Sequence, residues 1–269
     1  MKTAIIIPAR YGSTRFPGKP LVEIAGMTML QRVVKRAHQA ALPFDDIDIM
    51  VATEDERIMD HCTEIGARCI MTSDQCATGS DRVLEAAQNS GTDYDFLFSL
   101  QGDAPFTPPQ AIEQMLEAVT KNNEIEVITP VVNLRWQELE ALRLHKELTP
   151  FSGTTAIVNK DGQALWFSKN IIPAIRKEDE MKDSTEFSPV YQHLGLYGYR
   201  TDILQRFVSL PQGYYEKLEG LEQLRFLENG IKIQTVELAV DLGLAQAGID
   251  SPEDVARAED MITTHGDTA

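Results

Sequence analysis

Along most of this 269-residue sequence, short apolar runs rich in β-branched residues alternate with stretches whose apolar residues recur at helical spacing. Strands and helices in such alternation build βαβ units, which assemble into a mainly parallel sheet. The predicted strands are Thr3–Ile7, Asp48–Ala52, Arg68–Thr72, Phe96–Leu100, Glu126–Val132, Thr154–Asn159, Gln192–Tyr199 and Lys232–Glu237. The predicted helices are Met29–Ala41, Glu54–Glu64, Ser80–Ser90, Pro108–Lys121, Thr201–Val208, Glu216–Glu228 and Pro252–Thr263. The first five strands are continuous apolar runs, as strands buried on both faces are. The expected fold is α/β: a Rossmann-like, mainly parallel sheet flanked by helices. After Val132 the alternation loosens, and residues 133–190 carry two charge-rich stretches, Trp136–Lys146 and Arg176–Glu186. This segment reads as a lid or dimerisation arm inserted in a single domain spanning 1–269, since α/β folds of this length often form one unit.

The formal net charge of −16 argues against a general affinity for nucleic acid or anionic lipid, because both need a basic surface. An anionic partner must therefore be met by cations gathered locally. No run approaches the ~20 apolar residues of a membrane span. Thr3–Ile7 is too short for a signal-peptide core, so the expected setting is cytoplasmic. Cys62, Cys69 and Cys76 are odd in number and spaced by seven, which fits neither a disulfide framework nor a zinc knuckle. They read as ordinary thiols in a reducing compartment.

The strongest local signal follows the first strand. In the ten positions from Arg10 to Lys19 stand three cations (Arg10, Arg15 and Lys19), two glycines and two hydroxyls, and no acid appears before Glu23. A loop at the carboxyl end of a parallel strand is where open α/β sheets bind ligands. Glycines let a backbone approach phosphates closely, and Arg and Lys offset the charge of a triphosphate. The loop is not a Walker motif: five residues separate Gly12 from Gly18, and Pro20 stands where a magnesium-binding hydroxyl belongs. A Gly-x-Gly-x-x-Gly fingerprint is absent as well, which disfavours a dehydrogenase as the Walker spacing disfavours a P-loop kinase.

This run, Ile5 to Leu21, resembles the nucleotide-binding signature of the sugar-activating cytidylyltransferases, closest to the 3-deoxy-manno-octulosonate (KDO) cytidylyltransferases, or CMP-KDO synthetases. The likeness continues through Thr78-Gly79-Ser80-Asp81-Arg82, Gln101-Gly102-Asp103, Ile172-Pro173 with Arg176, His193 to Tyr199, Leu221 to Arg225, and Gly248 to Asp254. Each motif alone is weak, but together, in the family's order, they are specific. The resemblance implies CTP and an acidic sugar as substrates, with CMP transferred and pyrophosphate released for lipopolysaccharide synthesis. It implies Mg²⁺ as cofactor, a homodimer, and nucleotide contacts from Arg10, Ser13, Arg15, Lys19, Thr78, Gly79, Ser80, Arg82 and Gln101.

Two carboxylates far apart in sequence belong to the same argument. Asp103 follows the strand Phe96–Leu100 through Gln101-Gly102, so it emerges at the sheet edge that carries the basic loop, though a turn residue before Pro105 is an equal reading. Near the last helix, Ser251 is a cap, Pro252 suits the first turn, and Asp254 completes a capping-box-like pair. The helix start is then satisfied without Asp250, which is left just outside it. The resemblance implies that Asp103 and Asp250 hold Mg²⁺ and, with Arg10 and Lys19, form the catalytic set. Hard oxygen ligands in small number are what Mg²⁺ on a triphosphate needs.

On the sugar side, strand periodicity places Tyr191, His193, Gly195, Tyr197 and Tyr199 on one face, which is either a polyol-gripping surface or a half-buried aromatic strand. A helical wheel from Glu216 places Glu222 on an apolar side, paired with Arg225 or directed at a ligand. The resemblance implies that His193, Tyr197, Glu222 and Gln223 line the sugar pocket and that Arg176 meets the sugar carboxylate. The chain departs from the family at Ala174-Ile175, where Trp-Asp is usual, at Lys169 in place of Arg, and at Ala104 in place of Glu. These departures adjoin the sugar and metal positions, so a cytidylyltransferase for a modified KDO, such as an 8-amino derivative, or for another ulosonic acid is the nearest alternative. From another class, a non-catalytic nucleotide-binding regulator would use the same fold.

Overall fold

From the N-terminus run β1 (Thr3–Pro8), the hairpin β2 (Glu23–Ile24) and β3 (Met27–Thr28), α1 (Met29–Ala41), β4 (Ile47–Thr53), α2 (Glu56–Glu64), β5 (Cys69–Met71), α3 (Gly79–Asn89), β6 (Phe96–Ser99) and α4 (Pro109–Lys121). There follow β7 (Val127–Arg135), α5 (Trp136–Leu148), β8 (Thr154–Val158), β9 (Ala164–Ser168), α6 (Glu178–Lys182) and β10 (Phe187–His193). The chain continues with β11 (Tyr197–Arg200), α7 (Thr201–Ser209), α8 (Tyr214–Glu219), α9 (Leu224–Glu228), β12 (Ile233–Glu237) and α10 (Pro252–His265). The structure is a computed structural model that describes residues 1–12, 16–239, 249 and 251–265. These fall into two compact units, the first holding Met1–Asn123, Leu196–Val208 and the described residues from 249 onward, the second Glu124–Gly195 and 209–239.

In the first unit β5, β4, β1 and β6 lie side by side and parallel, and β11 closes the row antiparallel to β6. Ile5, Ile6, Ile7, Leu97 and Phe98 are fully buried, as the continuous apolar runs require. The short edge strand β5 differs: Cys69 and Ile70 are half-buried and Met71 is exposed, because only one neighbour covers it. Helix α1 starts where Thr28 Oγ1 accepts the Gln31 amide at 3.2 Å, and it buries Met29, Leu30, Val33, Ala37 and Ala40 at helical spacing. On the same helix Arg32 is fully buried, donating to the Ile24 carbonyl from Nε at 3.0 Å and from Nη2 at 2.5 Å. That bond ties α1 to the β2–β3 hairpin, which α10 also holds through Glu259 Oε1 and the Ala25 amide at 3.0 Å.

The second unit is mixed. β12 pairs with β7 in parallel, whereas β7, β10, β8 and β9 follow one another antiparallel. The segment 133–190 lies within this unit, and several of its charges pair with one another. Arg143 grips Glu178 with two hydrogen bonds of 2.7 and 2.8 Å, and Lys182 sits 2.8 Å from the same carboxylate. The hydrogen bonds from Arg143, then Lys182, pull the Glu178 pKa down to about 2. The charge-rich stretch Trp136–Lys146 is a helix: Trp136, Leu139 and Leu142 form its buried stripe, and Glu138 Oε2 accepts the Arg135 amide at 2.6 Å.

Two predicted elements are each divided. Gln192–Tyr199 was expected as one strand, but β10 ends at His193 in the second unit and β11 begins at Tyr197 in the first. The face expected to carry Tyr191 through Tyr199 is therefore split. Glu216–Glu228 is two short helices, α8 ending at Gly220 (φ 62°) and α9 starting at Leu224. Glu222 lies in the turn between them, and the helical-wheel argument for its position does not apply.

Candidate active site

The carboxyl ends of β1, β5 and β6 each lead into a loop, and the three loops enclose a cavity of about 430 Å³. Arg10 and Lys19 line it from the loop after β1, Thr78, Gly79 and Arg82 from the start of α3, and Gln101 and Asp103 from the loop after β6. Ligand binding at the carboxyl edge of parallel strands follows from the topology. Gly102 brings the first and third loops together: a Cβ there would sit 2.8 Å from the Pro8 carbonyl oxygen, so any other residue would force the backbones apart.

Each wall has a distinct charge arrangement. Arg10 is exposed, while Lys19 is 7% exposed and its Nζ donates to Asp103 Oδ2 at 2.9 Å. The Asp103 side chain is 52% exposed, so one carboxylate oxygen is tied to Lys19 in a group still open to solvent. Helix α3 begins with a reciprocal cap, Thr78 Oγ1 accepting from the Asp81 amide at 3.2 Å and Asp81 Oδ2 accepting from the Thr78 amide at 2.8 Å. Its N-terminus, the positive end of the helix dipole, forms part of the cavity wall. Arg82 is buried and anchored, 2.5 Å from Glu54 Oε2 and 2.6 Å from Thr72 Oγ1. Ser80 is buried in the first turn of α3 and is not among the lining residues.

Ser13, Arg15 and Asp250 lie outside the described residues. Their neighbours are placed. The buried Ile249 donates its amide to the Asp103 carbonyl in a long 3.5 Å hydrogen bond and packs against Ile24, Met29 and Phe106. Asp254 Oδ2 accepts from the Ser251 amide at 2.8 Å and the Ser251 hydroxyl at 3.0 Å, which is the Asp254 half of the capping pair the sequence suggests. Among the described residues no cluster of three or more His, Cys, Asp or Glu side chains is placed to hold a metal ion. Cys76, which sequence reasoning left as an ordinary thiol, lines the cavity; burial first, then its hydrogen bond to Glu85, raises its pKa to about 11.

The expected sugar residues are distributed between the units. Arg176, His193, Glu222 and Gln223 belong to the second, Tyr197 to the first. His193 Nε2 is 2.8 Å from Thr129 Oγ1, and its ring meets Phe167 edge-on at 5.0 Å. Burial, with the nearby Lys169 ammonium, lowers the His193 pKa to about 3, so the imidazole is neutral at pH 7. The backbone at Ser168 and Lys169 is held by Glu219, which accepts the Ser168 hydroxyl and the Lys169 amide, each at 2.8 Å. Gln223 is 4% exposed. Arg225 is bound by Glu216 in a buried two-pronged pair of 2.8 and 2.6 Å, while Glu222 lies 3.9 Å away. Arg176 is exposed in the turn before α6, with no hydrogen bond or ion pair to another described residue.

A cation-lined cavity at the carboxyl edge of a parallel sheet is the layout of an α/β protein built to receive a polyanion. The profile of the cytidylyltransferase family matches residues 4–233, and the chain belongs to that family. A 3-deoxy-manno-octulosonate cytidylyltransferase of Maricaulis maris (strain MCS10) is 43% identical over 267 residues, covering 99% of both chains. One from Desulfatibacillum aliphaticivorans is 40% identical over 97% of this chain and 99% of its own. Among solved structures, a CMP:2-keto-3-deoxy-manno-octonic acid synthetase complexed with CTP is 32% identical, with a TM-score of 0.81 over 98% of this chain and 99% of that one. A cytidylyltransferase from Leptospira borgpetersenii, at 17% identity and a TM-score of 0.61, covers 98% of this chain and 87% of its own and shares the fold. Within the family, the chain falls among the 3-deoxy-manno-octulosonate cytidylyltransferases.

Proposed function

We infer that this chain transfers CMP from CTP to KDO, giving CMP-KDO and pyrophosphate. The observation that carries the reading is the junction of Arg10, Lys19 and Asp103 in one cavity of a chain whose full-length relatives bear that name. The anomeric hydroxyl of the sugar attacks the α-phosphorus of CTP, and charge accumulates on the departing pyrophosphate. Arg10 and Lys19, with Arg15 from the same loop, offset that charge where it develops. The N-terminus of α3, carrying Thr78, Gly79 and Ser80, adds backbone dipole to the same task. Gln101 is assigned to the nucleotide, and the anchored Arg82 shapes that wall.

The donor set suits Mg²⁺: Asp103 is a half-exposed carboxylate on the cavity wall, and Ile249, next in sequence to Asp250, is bonded to the Asp103 backbone. Asp103 and Asp250 would hold the ion, which when bound polarises the phosphate and lowers the cost of ionising the sugar hydroxyl. For the sugar, Arg176 is assigned to the carboxylate, and His193, Tyr197, Glu222 and Gln223 to the hydroxyls. A neutral His193 serves as a hydrogen-bond partner and not as a fixed charge.

A homodimer is supported by an exposed apolar stripe on α5 and the following turn: Leu144, Leu148 and Phe151 are 63%, 86% and 79% exposed. Light scattering tests it, with a dimer mass expected and a monomer contradicting it. No described helix is long and apolar enough to cross a membrane, in keeping with a cytoplasmic setting. A coupled pyrophosphate assay with CTP and a panel of acidic sugars tests the reaction itself. Preference for a tail-modified KDO over the parent would favour the alternative substrate and direct attention to Ala174 and Ile175.

A further inference from the structure

Lys19 faces the cavity because the chain turns sharply just before it, and what fixes that turn lies outside the cavity wall. Gly18 is in the left-handed region at φ 74°, and its amide donates to the Tyr11 carbonyl at 3.0 Å. That bond joins the two ends of the segment between the cations Arg10 and Lys19. The Tyr11 phenol lies so close to Gly18 that a Cβ there would meet Cζ, the hydroxyl and Cε2 at 3.1 to 3.2 Å. The Arg57 guanidinium, from the first turn of α2, stacks on the Tyr11 ring at 3.3 Å from its centroid. Asp55, the N-cap of α2, grips that guanidinium from Nε at 2.9 Å and Nη2 at 2.6 Å while its Oδ1 accepts the Arg57 amide at 3.0 Å.

We propose that Asp55, Arg57 and Tyr11 form a positioning clamp that sets where Lys19 stands in the nucleotide cavity. The proposal rests on the reading of that cavity as the CTP site. Asp55 caps α2, so its carboxylate is fixed by the helix. A two-pronged hydrogen bond fixes the plane of the guanidinium as well as its position. The flat cation covers Tyr11, and Tyr11 limits Gly18 to the turn that starts the Lys19–Leu21 helical turn. The sequence therefore passes rigidity from the start of α2 to a cation whose Nζ is 2.9 Å from Asp103. The Arg57 side chain is 60% exposed. The Asp55 carboxylate, 17% exposed, keeps its bond to the backbone amide at position 57 when the guanidinium is removed, so α2 stays capped and the effect is directed at the loop.

The test is a double-mutant cycle on the full chain, read by the KM for CTP, the KM for KDO, kcat and CTP affinity from titration calorimetry. Tyr11→Leu and Arg57→Ala should each raise the KM for CTP roughly three- to tenfold, as expected for loss of one stacked cation or its ring. The KM for KDO should stay within about twofold, and the double variant should be no worse than Tyr11→Leu, since both changes break one link. Tyr11→Phe, which keeps the ring, should recover most of the affinity lost in Tyr11→Leu. Additive effects, equal losses toward CTP and KDO, or folded variants that bind CTP like the wild type would each overturn the clamp. A wild-type protein that neither binds CTP nor releases pyrophosphate would instead overturn the CTP reading itself, and the clamp's role with it.

Discussion

Replacing Lys19 by Met keeps most of the aliphatic stem and removes only the charge. Its consequences can be worked from where the side chain sits. Lys19 is 7% exposed, but Asp103, to which its Nζ donates, is 52% exposed at the side chain, so the released carboxylate can be hydrated. An ion pair with one wet partner contributes at most about 1 kcal/mol to stability, and Met at that site keeps the apolar packing. The melting temperature should therefore fall by no more than a few degrees. Catalysis has more at stake, because a preorganised charge facing a departing pyrophosphate acts in a site shielded from water. Loss of one such group typically costs about 10² to 10³ in rate, or ~2.7–4 kcal/mol. Pyrophosphate release at saturating and limiting CTP, beside calorimetric melting, separates the two effects. A folded Lys19→Met protein with kcat and the KM for CTP within twofold of wild type would refute the assignment. Activity lost only in proportion to a large drop in melting temperature would make Lys19 a structural residue.

Other expectations follow from the same geometry. Asp103→Asn and Asp250→Asn should each nearly abolish turnover at unchanged melting temperature, because a neutral amide is a poor Mg²⁺ ligand; an Asp250→Asn protein that melts early yet turns over normally would assign Asp250 to the helix cap. Arg225→Met strands the buried Glu216 carboxylate and should cost about 3–5 kcal/mol in urea unfolding, and a loss under 1 kcal/mol would contradict the pairing. Glu178, lowered from 4.5 to about 2 by Arg143 and Lys182, contributes stability that is present above its unfolded pKa and lost as pH falls from 4.5 toward 2. Glu178→Gln should therefore destabilise by roughly 0.5–1 kcal/mol at pH 7 and by nothing near pH 2; a pH-independent difference would refute the linkage.

The sequence carried most of the parallel sheet because buried strands and capped helices have local signatures. Helix α1 lies at its predicted bounds, Met29–Ala41, where Thr28 supplies the cap and apolar residues recur every third or fourth position. That Asp103 stands at the same sheet edge as a loop 84 residues earlier was legible through a general rule, since both follow parallel strands; its ion pair with Lys19 was not. What escaped was set by contacts distant in sequence or by single-residue breaks. The charge-rich stretch Trp136–Lys146 was given no secondary structure, yet it is a helix whose Arg143 is satisfied by Glu178, 35 residues on. The interruptions at Leu194–Leu196 and at Gly220 fall within runs of otherwise uniform propensity, so two strands and two helices were each read as one. Spacing offered Arg225 as one of two readings for Glu222, but Arg225 is held by Glu216 in a two-pronged pair while Glu222 lies 3.9 Å away. Nothing in the local pattern marked Arg57 as the cover on Tyr11, because stacking between a loop and the next βα unit leaves no periodicity.

The most direct test of the central claim follows CTP consumption by phosphorus NMR with Mg²⁺ and free KDO, scoring the products. The account predicts loss of the triphosphate signals with equal gain of pyrophosphate and a single CMP-sugar phosphodiester, and no turnover when glucose 1-phosphate replaces the ulosonic acid. Turnover of glucose 1-phosphate while every free ulosonic acid is ignored would contradict it, as would CTP left intact by a folded, Mg²⁺-supplied protein.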